Sequence, residues 1–163
     1  MDHMLGCGPA CFLFVPAVLL CITPGFAQAE RAQAPPANER TAIAERYANE
    51  KLFAWQRRLN LADWSISIVV ARSTDLKKNT VGNIKWDRDK KTALIRVLDP
   101  VDYKLPFEDV LRDIEFTVVH ELIHLEMSPV LADLNRTDAN RMEEEYAVNH
   151  MTEAFLKLDR GTK

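Results

Sequence analysis

The chain has 163 residues, 47% hydrophobic and 28% charged, a balance that excludes collagenous, low-complexity and wholly disordered classes and suits one folded domain. Lys and Arg number 21 against 24 Asp and Glu, a formal net charge of -3. That leaves no broad basic surface for gripping a phosphate backbone, so nucleic acid is not an expected partner.

All three cysteines, Cys7, Cys11 and Cys21, precede residue 22. They flank or lie in an apolar run over residues 11–22, which has the length of a signal-peptide core and falls short of the roughly 20 residues of a membrane span. Pro24 and Gly25 end the run, and Ala27 and Ala29 are the small residues that a signal peptidase accepts at its -3 and -1 positions. The expectation is a signal peptide over residues 1–29, cleaved after Ala29, with export to the periplasm or medium and no stable membrane span afterwards. Lipoprotein anchoring through Cys21 is the weaker alternative, because Leu20 is not the small residue that normally precedes a lipidated cysteine. A chain beginning near residue 30 has no thiol, which excludes disulfides and cysteine metal sites from its folded part.

Residues 30–37 are alanine-rich and proline-broken and read as a linker, with the domain occupying 38–163. Ile43, Tyr47, Leu52, Trp55 and Leu59 recur at three- to five-residue intervals and predict an amphipathic helix to Asn60. Residues 64–71, 81–86 and 92–98 read as strands, and the polar stretch 87–91 between the last two suits a hairpin turn. Pro106 opens a long helix with Val110, Leu111, Ile114, Val118, Leu122 and Leu125 on one face, which Ser128 and Pro129 are expected to stop. A last helix over about 139–158 turns Ala147, Val148, Met151, Ala154, Phe155 and Leu158 inward. The fold class is therefore α+β, in the order α-β-β-β-α-α, with helices packed on a small three-stranded sheet.

Within the long helix stands His120-Glu121-Leu122-Ile123-His124, the pattern H-E-x-x-H. Four-residue spacing sets both imidazoles on one side of a helix, one turn apart, where they can grip a single ion. Glu121 lies about 100° round the helix from His120, close enough to act on a water at that ion without being a ligand. The bland alternative is a pair of surface histidines on an amphipathic helix.

A catalytic zinc needs a third protein ligand and one open position. The third-histidine version of the motif requires Gly at 127 and His at 130, where this chain has Met127 and Val130. A glutamate from the following helix is the other route, and Glu143, Glu144 and Glu145 arrive about twenty residues after His124. As plain chemistry the three could equally be a solvated acidic turn favoured by the helix dipole.

Over residue 120 to about 155 the chain resembles the gluzincin group of zinc metallopeptidases, in which H-E-x-x-H is followed by a glutamate ligand on the next helix. It looks closest to small, minimal, zincin-like domains. Residues 117–124 are also similar to Spartan-type proteases, but the downstream third histidine of those is absent. In the gluzincin pattern an Asp or Asn tends to follow the ligand glutamate by four residues, and Glu145 with Asn149 matches. Asn149 is then expected to hydrogen-bond a ligand imidazole. Glu144 is the rival ligand because it faces the apolar stripe most directly. A metal site with an open position belongs at the border of that stripe, which ranks Glu145 before Glu144 and Glu143 third.

The resemblance implies a zinc-dependent peptidase in which Glu121 is the general base, His120, His124 and Glu145 or Glu144 hold zinc, and a peptide or protein substrate lies along the sheet edge at 81–86. Gly82 and Trp86 would face that substrate, and Tyr103, Tyr146 or His150 would stabilise the oxyanion. His150 is a minor alternative ligand, and Asp113 a candidate outer partner of the metal ligands. Glu115 and Glu126 read as solvated charges. The alternative from another class is a catalytically inactive zincin-like binding module exported to the periplasm, and a third is a metal-free helical cap on a sheet.

Overall fold

The computed structural model describes residues 35–132 and 134–161; the expected signal peptide with its three cysteines, the cleavage site at Ala29 and most of the linker lie outside them. The described residues belong to one compact unit, Gln33–Lys163. Its elements are α1 (Ala37–Arg58), β1 (Ser65–Ala71), β2 (Gly82–Asp87), β3 (Thr92–Leu98), α2 (Phe107–Leu131) and α3 (Asp138–Gly161), with short 3-10 turns at Ser73–Asp75 and Pro100–Asp102. The architecture is α+β, three helices with a three-stranded sheet.

Helix α1 contains no internal Gly or Pro, carries Arg57 and Arg58 in its last turn against the helix dipole, and gives way to Asn60 in the left-handed region (φ 56°). Its innermost residues are Ala44, Ala48, Leu52 and Trp55; Ile43, Tyr47 and Leu59 of the expected stripe lie at its margin. The two alanines go deepest because a helix surface without bulky side chains can approach its neighbour closely.

The sheet order is β1-β3-β2, with β1 parallel and β2 antiparallel to β3. The β2–β3 hairpin turns where expected: the Asp87 carboxylate accepts the Lys90 amide at 3.0 Å, and Lys91 adopts φ 49°. Alternation then sorts the side chains. Ile68, Ala93, Ile95 and Val97 go to the core, while Ser67, Val69, Lys85 and Arg96 face away from it. Strand β2 is an edge strand, and the Leu98 amide donating to the Val81 carbonyl at 2.8 Å sets the phase of its ladder. Residues 81, 83 and 85 are thus bonded to β3, and Gly82, Ile84 and Trp86 turn their backbone N–H and C=O groups outward.

Helix α2 is the centre of the molecule. Thr117, Val118, Val119 and every residue from Glu121 to Leu125 are buried, which happens only when a helix is covered on most of its circumference. The expected stop at Ser128-Pro129 does not occur; the helix runs on to Leu131 with Pro129 inside its last turn. Proline there deletes one hydrogen bond, to the carbonyl four residues back, where few turns remain to be disrupted. Helix α3 buries Glu144, Val148, Thr152 and Leu156, a strict four-residue stripe. Met151 and Phe155 flank it as expected, but Ala154 and Leu158 are exposed, because the buried line drifts to Thr152, whose hydroxyl donates to the Val148 carbonyl at 2.8 Å.

Glu115 on α2 corrects another expectation. It is 6% exposed rather than solvated. From α1 the Tyr47 hydroxyl and the Trp55 indole N–H each donate to it at 3.3 Å and Lys51 Nζ lies at 2.9 Å, while Arg160 of α3 approaches to 4.0 Å. One buried carboxylate therefore ties all three helices together. Glu126 is exposed, in keeping with its reading as a solvated charge. Among the described residues no helix is long and apolar enough to cross a membrane.

Candidate metal centre

His120 and His124 project from the same side of α2 where α3 packs against it. Their Nε2 atoms are 3.0 Å apart, and the rings meet edge-on with centroids 4.7 Å apart. Glu145 of α3 closes the triangle, with Oε2 at 3.2 Å from His120 Nε2 and Oε1 at 3.5 Å from His124 Nε2. Two ligands each bonded at 2.0–2.1 Å to a tetrahedral ion stand about 3.3–3.4 Å apart. The His–His separation falls a little below that value and the two Glu145 separations, each to a different carboxylate oxygen, fall on either side of it, with one donor atom per residue all within 4.8 Å of one another. The donor chemistry also fits, two imidazole nitrogens and one carboxylate, so His120, His124 and Glu145 could hold a metal ion.

Glu144 lies on the other side of His124. Its Oε1 is 2.8 Å from Nδ1, the ring nitrogen that faces away from the triangle, and its Oε2 accepts from Arg136 Nη1 at 2.6 Å. The difference between the two glutamates follows from the stripe on α3. Glu144 heads the buried line and points into the core, while Glu145, 100° further round, stays half exposed at its border. Glu144 thereby makes the outer hydrogen bond that was expected of Asn149, fixing which nitrogen of His124 is free. Asn149 lines the same cavity but makes no hydrogen bond to either imidazole, and His120 Nδ1 is buried without a partner.

The charges are mutually dependent. Hydrogen bonds from both imidazoles hold the Glu145 carboxyl well below the usual carboxylate range. For His124, burial favours the neutral ring, but Glu145, Glu121 and Glu144 more than offset this and raise its pKa. Burial pushes Glu121 above the ordinary carboxylate value, against the pull of the two histidines. A carboxyl raised in this way at the wall of a cleft is suited to taking and returning a proton.

The triangle opens into a cavity of about 460 Å³ whose far wall is β2. Gly82, Trp86, Glu121 and Arg136 line it with the three candidate ligands. Gly82 is required by close packing rather than by its backbone angles. A Cβ there would lie 2.3 Å from Thr117 Cγ2 and 2.8 Å from the Arg96 carbonyl, and 3.5 Å from Glu121 Oε1. The outward-facing edge of β2 is in this way brought directly over the second residue of the motif.

Several sequence candidates stand elsewhere. The Tyr103 hydroxyl donates to Asp113 at 2.6 Å and neither residue lines the cavity, so Asp113 supports a tyrosine and not a metal ligand. Tyr146 and His150 meet with tilted rings, centroids 4.1 Å apart, on the exposed side of α3, outside the cavity lining, and Glu143 is also exposed. Arg136 also lines the cavity and donates to Glu144; sequence reasoning passed it over because it sits in a polar connection with no periodicity to single it out. No family model, curated protein or solved structure matches this chain.

Proposed function

We propose that the protein is a zinc-dependent peptidase of gluzincin type, built on a minimal zincin-like domain, with peptide or protein chains as substrate and His120, His124 and Glu145 as the zinc ligands. The single observation that carries this reading is the convergence of two Nε2 atoms and a carboxylate, at separations of 3.0, 3.2 and 3.5 Å, beside a raised carboxyl at the base position of the motif. Zinc in such a site supplies Lewis acidity, which makes a neighbouring water acidic near neutral pH and polarises a carbonyl.

The residues of the chain do the rest. Glu144 holds His124 in one tautomer, and Arg136 holds Glu144. Glu121 takes a proton on a carboxylate oxygen from the attacking water and returns it to the departing amide nitrogen. The outward N–H and C=O groups of Gly82, Ile84 and Trp86 give an extended substrate a backbone ladder, with affinity independent of side-chain identity. Arg136 offers a donor at the cavity wall for the oxyanion.

Metal analysis and a peptide hydrolysis assay test the reading together. Purified protein should retain about one zinc per chain, hydrolyse an unstructured protein substrate, and lose hydrolysis but not zinc on Glu121→Gln. A folded preparation that takes up no zinc would end the proposal.

A further inference from the structure

The edge strand that borders the metal site also borders a second depression, on the face of the sheet that α1 and α2 leave uncovered. Its volume is about 660 Å³, and Lys77, Lys85 and Arg96 line it together with Val69, Asn83 and Asp75. Lys77 and Asn83 line the metal cavity as well, so the two spaces adjoin across β2. Three cations face one carboxylate here, and none of the three is in an ion pair among the described residues. This local excess runs against the net charge of the chain, which is -3.

The strand geometry connects this face with the substrate position. Arg96 is directly opposite Asn83 in the ladder, and Lys85 lies two residues further along β2 on the same face. A chain added to the outer edge of β2 alternates its side chains between the helix side, where the metal ligands stand, and this uncovered side. The substrate side chains that point to this side opposite Asn83 and Lys85 lie beside Lys85, with Arg96 one strand further in.

The geometry points to an acidic substrate: we propose that Lys77, Lys85 and Arg96 select extended peptide segments carrying Asp or Glu at the alternate positions that face the uncovered side of the sheet. The inference rests on the peptidase reading for its occupant and adds the class of sequence preferred. An extended peptide fits better than a nucleic acid because the same edge supplies unpaired backbone donors and acceptors at a β-strand repeat, which a phosphate backbone cannot match.

Binding, not turnover, is the test. The zinc-loaded Glu121→Gln protein is titrated with fluorescein-labelled decapeptides of alternating Thr and Glu, alternating Thr and Gln, and alternating Thr and Lys, followed by anisotropy in low and high salt. The Glu peptide should bind about tenfold tighter than the Gln peptide and tighter still than the Lys peptide, with the advantage shrinking at high salt. Lys77→Glu with Lys85→Glu, both at exposed positions, should reverse the order of the Glu and Lys peptides. Equal binding of the Glu and Gln peptides, an order unchanged by the charge reversal, or displacement of the Glu peptide by an oligonucleotide of equal charge at the same concentration would each overturn the proposal. Zinc content and hydrolysis of a neutral peptide by the unaltered protein are scored separately. Hydrolysis without acidic preference removes this inference alone, and acidic preference without hydrolysis removes the peptidase reading alone.

Discussion

Replacing Glu144 by alanine is the most informative perturbation of the candidate centre, because it leaves all three proposed ligands and Glu121 in place. The Glu144 carboxylate is 7% exposed and accepts two hydrogen bonds, from His124 Nδ1 at 2.8 Å and from Arg136 at 2.6 Å. Its loss leaves a buried imidazole N–H without an acceptor, removes the constraint on the His124 tautomer, and frees the ring to rotate. Outer partners of metal-binding histidines contribute about 10- to 100-fold in metal affinity, or about 1.4–2.7 kcal/mol. The burial and short distances place Glu144→Ala near the upper end, and Glu144→Gln, which keeps a carbonyl acceptor, near the lower. Competition for zinc against a chromophoric chelator at pH 7.5 measures both. Nitrogen-15 shifts of the imidazoles in the zinc-loaded protein supply a second readout, since a change in tautomer moves them and a general loss of packing does not. An alanine variant that stays folded and binds zinc within about twofold of the parent would refute the role given to Glu144.

Three further outcomes are expected. In the metal-free protein, the raised pKa of His124 contributes stability that is complete below its ordinary value of 6.5 and is lost as pH rises through the higher folded value. The depressed pKa of Glu145 contributes stability above its ordinary 4.5 that is lost on acidification, and the raised pKa of Glu121 opposes it as pH climbs above 4.5, so Glu145→Gln should lower the melting temperature of the apoprotein between about pH 4.5 and 6.5 and flatten its fall on acidification. Gly82→Ala should destabilise by about 1–3 kcal/mol in urea unfolding, because the new methyl meets Thr117 Cγ2 at 2.3 Å and the unyielding Arg96 carbonyl at 2.8 Å; an unchanged midpoint would mean that β2 can move away from α2. Glu115→Gln should lower stability by about 1–3 kcal/mol, since its amide nitrogen faces the donors Lys51, Tyr47 and Trp55, while zinc affinity stays within about twofold; loss of zinc binding in a folded variant would show coupling that the contacts do not predict.

The elements were legible in the sequence wherever one physical signal dominated. Alternation in residues 64–71 and 92–98 and the four-residue spacing of the motif are such signals, and β1, β3 and the paired imidazoles appear where they imply. The different placements of Glu144 and Glu145 were also readable, because a position on the buried line of α3 differs from one at its border by a rotation of 100°. What could not be read depends on contacts between elements distant in the chain. Nothing local marks Glu115 as the acceptor for side chains some sixty residues earlier, or Arg136 as the clamp on Glu144. Pro129 misled for the opposite reason. A strong local rule states where the helix should stop, and the helix nonetheless continues through Pro129 to Leu131.

The position of β3 between two strands that precede it in the chain constrains how the molecule acquires its form. Ser65 meets Thr92, 27 residues on, so β1 has no lateral neighbour until the whole of the later hairpin exists. The turn at 87–91 can close within microseconds, whereas β1 must wait for a long loop to be drawn in. In that interval Ser-Ile-Ser-Ile-Val-Val-Ala, a short β-prone stretch without charge or proline, stands unmatched. Self-association during refolding should therefore begin at this segment, and a single lysine in place of the exposed Val69 is the substitution best placed to suppress it.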